Sequence, residues 1–495
     1  MITRPYSPLT APLLLCLMLC AAGCNLAPTY SRPTVETPLQ FHERANASGT
    51  EGVAWASAQP SDGANRGRWW ELYGDPLLNA LEEQTESANQ TIAAADASFR
   101  AARATVASTR SALLPTLRTA PAVTRTRVSQ TLGSAAGGRA DTPAITNEYS
   151  LPFDASYEID FWGRVRNGVA ASRANAEASA ADLATARLST QAELAQDYFQ
   201  LRALDAERQI FDDTVASYRE SLGETSALYR AGIDSDEDVS RAQTQLNTAI
   251  AQATDLGIAR AAFEHAIAVL TGKPPAGFSL ATAPFAAHPL SVPVGLPSNL
   301  LERRPDIAAA ERRAAAANAE IGVARAAYFP QFLLGASAGW QTAEAARWFD
   351  WPSRFWSVGP ELAATLFDGG ARRAQTEQAR ASFDQAAADY RQTVLSAFQS
   401  VEDNLAALRL LEQEAGEQRT AVESSRHLLG LANTRFKIGI DSYLNVITAQ
   451  AALLANRETE VQIQLRQMLA SVSLMKALGG GWDVTELVLS ASPSP

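Results

Sequence analysis

Between about Arg372 and Phe436, apolar residues recur every seven positions without interruption: Ala387, Val394, Val401, Leu408, Ala415, Val422, Leu429 and Phe436. A strict seven-residue repeat keeps one apolar seam turned toward a neighbouring helix, so a long coiled-coil helix is predicted here. Subtracting 207 from each position gives an earlier seam, Leu194, Leu201, Arg208, Val215, Leu222 and Tyr229, in which Arg208 alone is charged. The match runs past the helix ends, because Tyr229-Arg230-Ala231-Gly232-Ile233-Asp234-Ser235 lies over Phe436-Lys437-Ile438-Gly439-Ile440-Asp441-Ser442. The chain therefore contains two copies of one unit, and each copy constrains how the other is read. Helices of about 65 residues would reach roughly 100 Å, more than a compact domain needs.

In chain order, residues 25 to about 70 show no sustained period and read as an extended lead. Asp75-Pro76 offers a helix start, and one helix is expected from Leu77 to about Leu114, ended by Pro115. The period then changes. Leu117–Val128 and Glu148–Phe161 partly alternate, with a glycine-containing gap between them, and read as two strands joined by a long loop. The heptad helix runs to Tyr229, a tight turn falls at Gly232, and a further helix is expected from Asp236 to Leu270. A proline-rich linker follows. The second copy repeats this order with a helix from Leu300 to Phe329, strands near Phe332–Trp340 and Phe355–Ala364, the long helix, and a turn at Gly439. Arg325 and Pro330 match Arg110 and Pro115 at an offset of 215, whereas Gly369 and Arg372 match Gly163 and Arg166 at 206. The first copy thus carries about nine extra residues in its strand-loop-strand portion, where insertions are tolerated if the loop is exposed.

Composition narrows the function classes. Acidic residues outnumber basic ones 53 to 42, and the basic residues are scattered, which argues against a nucleic-acid surface. Cys16, Cys20 and Cys24 are the only cysteines, so disulfides and thiolate metal sites are excluded from the rest of the chain. They lie in a leader with Arg4, an apolar run from Ala11 to about Ala22, and Ala21-Ala22-Gly23-Cys24. That box resembles a bacterial lipoprotein signal, with Ala21 where leucine is usual, and implies acylation of Cys24; Asn25 in the next position implies sorting to the outer membrane. No other apolar run is long enough for a membrane-spanning helix, so any span must come from strands. The predicted strands are near ten residues each, the length that crosses a bilayer when tilted. Four strands per chain cannot close a barrel, and an open edge in lipid leaves backbone groups unpaired. Several chains must contribute, with eight, twelve or sixteen strands all allowed by the pattern.

Several motifs carry a family resemblance over nearly the whole chain. They include Gly23-Cys24-Asn25-Leu26-Ala27-Pro28, Trp69-Trp70 with Asp75-Pro76-Leu77, Leu301-Glu302-Arg303-Arg304-Pro305-Asp306-Ile307, Tyr328-Phe329-Pro330, Phe367-Asp368-Gly369-Gly370 and Gly439-Ile440-Asp441-Ser442-Tyr443. In these the sequence resembles the TolC-type outer-membrane efflux proteins, specifically their lipoprotein (NodT/OprM-like) branch. The resemblance implies a mainly α fold with a membrane β-barrel: a homotrimer with a twelve-stranded barrel and a periplasmic tunnel of long helices. It divides the chain into a signal peptide (1–23), an extended belt segment (24–74), a first repeat (75–272, hairpin 116–162), a belt linker (273–298), a second repeat (299–479, hairpin 331–368) and a tail (480–495). It implies a passive, gated exit duct for drugs or other small molecules, with no cofactor and no catalysis. The partners it implies are a periplasmic adaptor and an inner-membrane pump of the RND type. A lipid-anchored periplasmic scaffold or adaptor is the alternative, and the paired strands argue against it.

The candidate site residues are the lipid anchor Cys24 and the two tip turns. Gly232 and Gly439 supply the positive φ of tight turns, and the resemblance adds an entrance gate and adaptor contact. Asp234, Asp236, Glu237 and Asp238 fit a solvated helix start. In a trimer they could instead form a ring that favours cations or repels anions, with Asp238 foremost. Asp441 and Asn445 belong to the second turn, where Asn445 and Thr448 stand in places that family members often fill with aspartate. The acids do not make a calcium loop, since Val239 and Gln245 occupy its glycine and glutamate places. Gly335-Ala336-Ser337-Ala338-Gly339 matches a nucleophile-elbow pattern, but it falls in a predicted strand and is followed by a single histidine, His427, on the heptad helix.

Overall fold

The computed structural model describes residues 25–43, 68–127, 145–286, 289 and 303–482. Among these the chain forms, in order, α1 (Pro76–Ala88), α2 (Gln90–Ser111), β1 (Thr116–Thr119), β2 (Ala122–Arg127), β3 (Ile145–Ile159), α3 (Arg164–Arg230), α4 (Asp236–Leu270), α5 (Pro305–Ala326), β4 (Gln331–Thr342), β5 (Arg354–Ala363), α6 (Ala371–Lys437) and α7 (Tyr443–Ala477). The two long helices, α3 and α6, have 67 residues each, and the two that follow them 35 each, so the duplication read in the sequence is kept in the elements. The expected first helix is instead two. Asn89 leaves the helical conformation at φ −70° and ψ 128°, and its side chain accepts from the N–H groups of Thr91 and Ile92 at 2.8 and 3.1 Å, starting α2 afresh.

The chain divides into two compact units. The first gathers residues 25–33, Arg100–Ala178 and Ala310–Tyr390, and holds the sheet. Its strand order is β1-β3-β4-β5, with β2 also paired to β3 and every pairing antiparallel. The first expected strand is broken into β1 and β2 at Ala120 and Pro121 without any change of register, since Thr119 pairs with Phe153 and Ala122 with Ser150. By that register Pro152 falls opposite Ala120, next to Pro121, and neither proline has an N–H for the ladder. Across from Pro152 stands Gly339, where a Cβ would come within 2.1 Å of the Leu151 carbonyl oxygen. Only glycine lets the two strands approach so closely there.

The second unit comprises Thr34–Phe99, Ser179–Ala309 and the residues from Arg391 onward. Its main core joins Trp69, Trp70, Leu78 and Leu81 to Leu194, Tyr198, Phe199 and Leu201 of α3, Ile267 of α4 and Met468 and Val472 of α7. The heptad positions do what their spacing predicts: Leu194, Leu201, Val215, Val394, Val401 and Val422 are buried. Arg208, the charged position in the first seam, sends Nη1 to the Ala253 carbonyl of α4 at 2.8 Å and pairs Nε with Asp212 at 3.0 Å. The Arg303-Arg304-Pro305-Asp306 motif is a clip. Asp306 holds the Arg304 guanidinium at 3.0 and 2.5 Å, and Arg304 donates to the Ala477 carbonyl at the end of α7, satisfying one of that helix's free acceptors.

Candidate functional site

The sheet has two chemically distinct faces. Directly paired residues share a face, so the register sorts every side chain. One face carries Leu117, Val123, Tyr149, Leu151, Phe153, Tyr157, Ile159, Phe332, Leu334, Trp340, Trp356, Val358 and Leu362. Several of these are open to the surroundings, with Trp356 78%, Val358 63% and Leu362 59% exposed. The other face is mostly polar, with Arg118, Glu148, Asp154, Ser156, Glu158, Ser337, Gln341 and Glu361. Its groups bond to one another: Ser337 Oγ donates to Asp154 at 2.6 Å, and Gln341 Nε2 to Glu148 at 2.8 Å. Ser337 thus lies in mid-strand rather than at a strand-to-helix turn, which removes the geometry a nucleophile elbow needs.

Alternation of apolar-out and polar-in residues is what a membrane strand requires. The apolar rows from Tyr149 to Ile159 run about 33 Å along β3 at ~3.3 Å per residue. A tilt of about 40° brings that to roughly 25 Å, the height of the apolar band of a membrane barrel. Aromatic rings mark both ends of the band. Trp162 stacks on Phe329 at 4.5 Å and Phe161 meets Phe332 at 4.8 Å where the helices depart; Tyr149, Trp340, Trp348 and Phe349 cluster at the hairpin end. No helix among the described residues is long and apolar enough to cross a membrane.

The N-terminal lead runs antiparallel to α5. Arg325 Nη1 donates to the Leu26 carbonyl, Asn318 Nδ2 to that of Pro28, and the Tyr30 hydroxyl to Glu311 Oε1 at 2.7 Å. Asn25 therefore lies by the end of α5, four residues before β4 begins. Cys24 and the signal peptide lie outside the described residues.

The two tip turns are built alike. The Ile233 N–H bonds back to the Leu228 carbonyl and that of Gly232 to Tyr229; Ile440 and Gly439 repeat this on Arg435 and Phe436. This is the Schellman closure, and it needs the left-handed φ of +74° and +73° at Gly232 and Gly439. Below the turns α3, α4, α6 and α7 share a small core of Leu222, Ala242, Phe436, Tyr443 and Val446, and Lys437 reaches Glu224 at 3.1 Å. The turn acids are differently engaged. Ser235 caps α4 by accepting from the Asp238 N–H at 3.1 Å while its hydroxyl donates to the Asp238 carboxylate at 2.7 Å, and Glu237 pairs with Arg241. Partial burial, then the neighbouring Asp238, raises the Asp234 carboxyl above the usual range. Asp236 stands exposed in the first turn of α4. Asp441 accepts from Arg435 Nε at 2.8 Å and from Asn445 Nδ2 at 2.7 Å, so Asn445 fixes the acid of its own turn. No cluster of metal-ligating residues occurs among the described residues.

Two features escaped the sequence reading. Glu82, on the apolar face of α1 beside Leu78 and Leu81, is fully buried, and nothing in its spacing marked it as more than a surface acid. The arginines of β2, Arg125 and Arg127, pair with Asn147 and Ile145 and so share the outward face with Val123; they were hidden because the facing of a strand residue is fixed only by register.

A lipid-facing sheet in one chain with long heptad helices and glycine-closed turns defines an outer-membrane channel with a helical extension. The family model of the outer membrane efflux protein matches residues 81–273 and 296–480. The toluene efflux pump outer membrane protein TtgF of Pseudomonas putida is 32% identical over 93% of this chain and 95% of its own length. The pyoverdine export outer membrane protein OpmQ of Pseudomonas aeruginosa is 31% identical over 94% and 96%. Among solved structures, the outer-membrane channel OprN superposes with a TM-score of 0.84 at 29% identity, covering 93% of this chain and all of that one. The chain belongs to the outer membrane efflux protein family. It is a mainly helical protein with a membrane β-barrel portion, resides in the outer membrane, and is the outer-membrane channel of an efflux pump.

Proposed function

We propose that three copies close one twelve-stranded barrel and act as a passive, gated exit duct for drugs or other small molecules. An inner-membrane pump of the RND type supplies the energy, and a periplasmic adaptor docks on the tip turns. The observation that carries this reading is the sheet itself: it is four strands wide, apolar on one face, and has edges at β1/β2 and at β5 that no described strand covers. In lipid both edges must be paired, and three copies supply the twelve strands. The relatives named for toluene and pyoverdine export support small organic substrates. The exposed Ile233, Ile438 and Ile440 around Gly232 and Gly439 suit an apolar docking surface for the adaptor. Residues 34–43 along α6, with Glu402 accepting from the His42 and Glu43 N–H groups, support a belt built from the lead, the mid-chain linker and the tail. Asn25 beside the end of α5 favours an acylated Cys24 that anchors the protein from the inner leaflet.

The gate reading centres on Asp441, with Gly232, Asp234, Asp236, Glu237, Asp238, Gly439 and Asn445 around it. Its test is single-channel conductance of the purified, lipidated protein in a planar bilayer. Small, mostly closed, cation-preferring openings are expected. Asp441→Ala removes a half-exposed ion pair worth at most about 1 kcal/mol, so open occupancy should rise by up to roughly fivefold with assembly intact. A particle that binds the bilayer yet never conducts, even with Gly232 and Gly439 replaced, would return the chain to the anchored-scaffold reading.

A further inference from the structure

The apolar rows of the sheet do not end at the aromatic girdle. On β2, Val123 pairs with Tyr149, Arg125 with Asn147 and Arg127 with Ile145, so both arginines continue the lipid-facing row on the hairpin side of Tyr149. Both are exposed, and neither has an ion-pair partner among the described residues. Two residues along a tilted strand rise by about 5 Å. Arg125 and Arg127 therefore stand roughly 5 and 10 Å beyond the girdle, within or just above the headgroup layer that flanks the hydrocarbon. At the other edge of the sheet, Arg354 pairs with Trp340 on the same face, and its guanidinium lies over the exposed ring of Trp351. Outward cations thus occupy both edges, with Arg354 level with Leu151 and two residues nearer the hydrocarbon than Tyr149, while the acids Glu148 and Asp154 fall on the opposite face.

We propose that Arg125 and Arg127 form a binding site for the phosphate groups of phosphorylated glycolipids in the outer leaflet, an inference that rests on the barrel reading above. A guanidinium offers two parallel N–H donors that match a phosphate. Near the interface an outward arginine costs little in itself, and an anionic headgroup layer attracts each one by about 1 kcal/mol, so two on one row favour phosphate-bearing lipid.

The test is native mass spectrometry of the purified full-length protein in detergent, titrated with diphosphorylated lipid A or with the same lipid stripped of phosphate. Wild type should retain the phosphorylated lipid and discriminate strongly against the stripped one. Arg125→Gln with Arg127→Gln should weaken retention by about thirtyfold, the effect of two surface arginines on an anionic headgroup. The doubly lysine-substituted protein should hold an intermediate amount, and millimolar inorganic phosphate should fail to displace the lipid. Wild type that fails to distinguish the two lipids overturns the proposal whatever the variants do. So does a glutamine variant of normal oligomer mass that loses less than tenfold, or complete displacement by free phosphate. The glutamine variant should conduct as wild type does, so a failure of the duct reading shows in conductance and a failure of this one in lipid retention.

Discussion

Glu82 shows how one residue departs from its type. It is fully buried on the apolar face of α1, and neither carboxylate oxygen has a hydrogen-bond partner among the described residues. Burial, reinforced by the charge of Glu86, pushes its carboxyl up to about 9. At neutral pH the folded protein therefore holds a proton that the unfolded chain has released. The native state binds more protons between the ordinary glutamate range near 4.5 and about 9, so stability falls as pH rises through that window and is spared below it. The slope from this group is at most about 1.4 kcal/mol per pH unit. Glu82→Gln keeps the shape and removes the titration. The variant should melt at a higher temperature than wild type at pH 8 and about equally at pH 4, and equal melting at both would place water or a partner subunit against the carboxyl. Sequence alone could not single out Glu82, because an acid every few residues is ordinary on a helix. Gly232 and Gly439 were legible, since a glycine after a seven-residue seam has one main use there.

At the scale of elements, the long helices were legible almost to the residue. Their spacing is enforced by packing along the whole length, and Asp236–Leu270 matches the expected bounds without change. The first helix was misjudged because Asn89 serves two helices at once, donating Nδ2 to the Leu270 carbonyl while capping α2, and that service depends on α4. The strands were legible in place but not in extent, since the break at Ala120 and Pro121 becomes visible only when the register sets Pro152 opposite Ala120. The tip hairpin α6–α7 depends on Tyr443, which is 2% exposed and meets Phe436 at 5.4 Å. Tyr443→Ala should cost about 3–5 kcal/mol, felt locally because the tip core is small and separate from the main one. Limited proteolysis should then cut at Arg435 and Lys437 well before the rest of the chain, whereas Ile440→Ala, at an exposed position, should leave the pattern unchanged. Equal resistance of the tyrosine variant would mean that contacts between subunits, rather than this core, hold the tip.

For the whole molecule, the sequence carried the need for several copies but not their number, because a four-strand contribution closes equally well at eight, twelve or sixteen strands. The structure sharpens the requirement: β1, β2 and β5 are the outermost strands of the sheet, and their lipid-facing residues Leu117, Val123, Val358 and Leu362 need a continuous wall. That requirement is directly testable, because the sequence after Cys24 contains no cysteine. Single cysteines placed in turn along β5 at Ser357, Gly359 and Glu361 can be combined with one at Thr116 or Arg118 on β1. At the correct inter-copy register, oxidation should bridge neighbouring chains, since paired strand residues lie about 4.5–5.5 Å apart. The covalent ladder on a denaturing, non-reducing gel should stop at three chains and collapse on reduction. A ladder ending at two or four would keep the barrel and change its strand count. No ladder at any register, in protein that still fractionates with the outer membrane, would mean that the edges meet something other than a second copy of this chain.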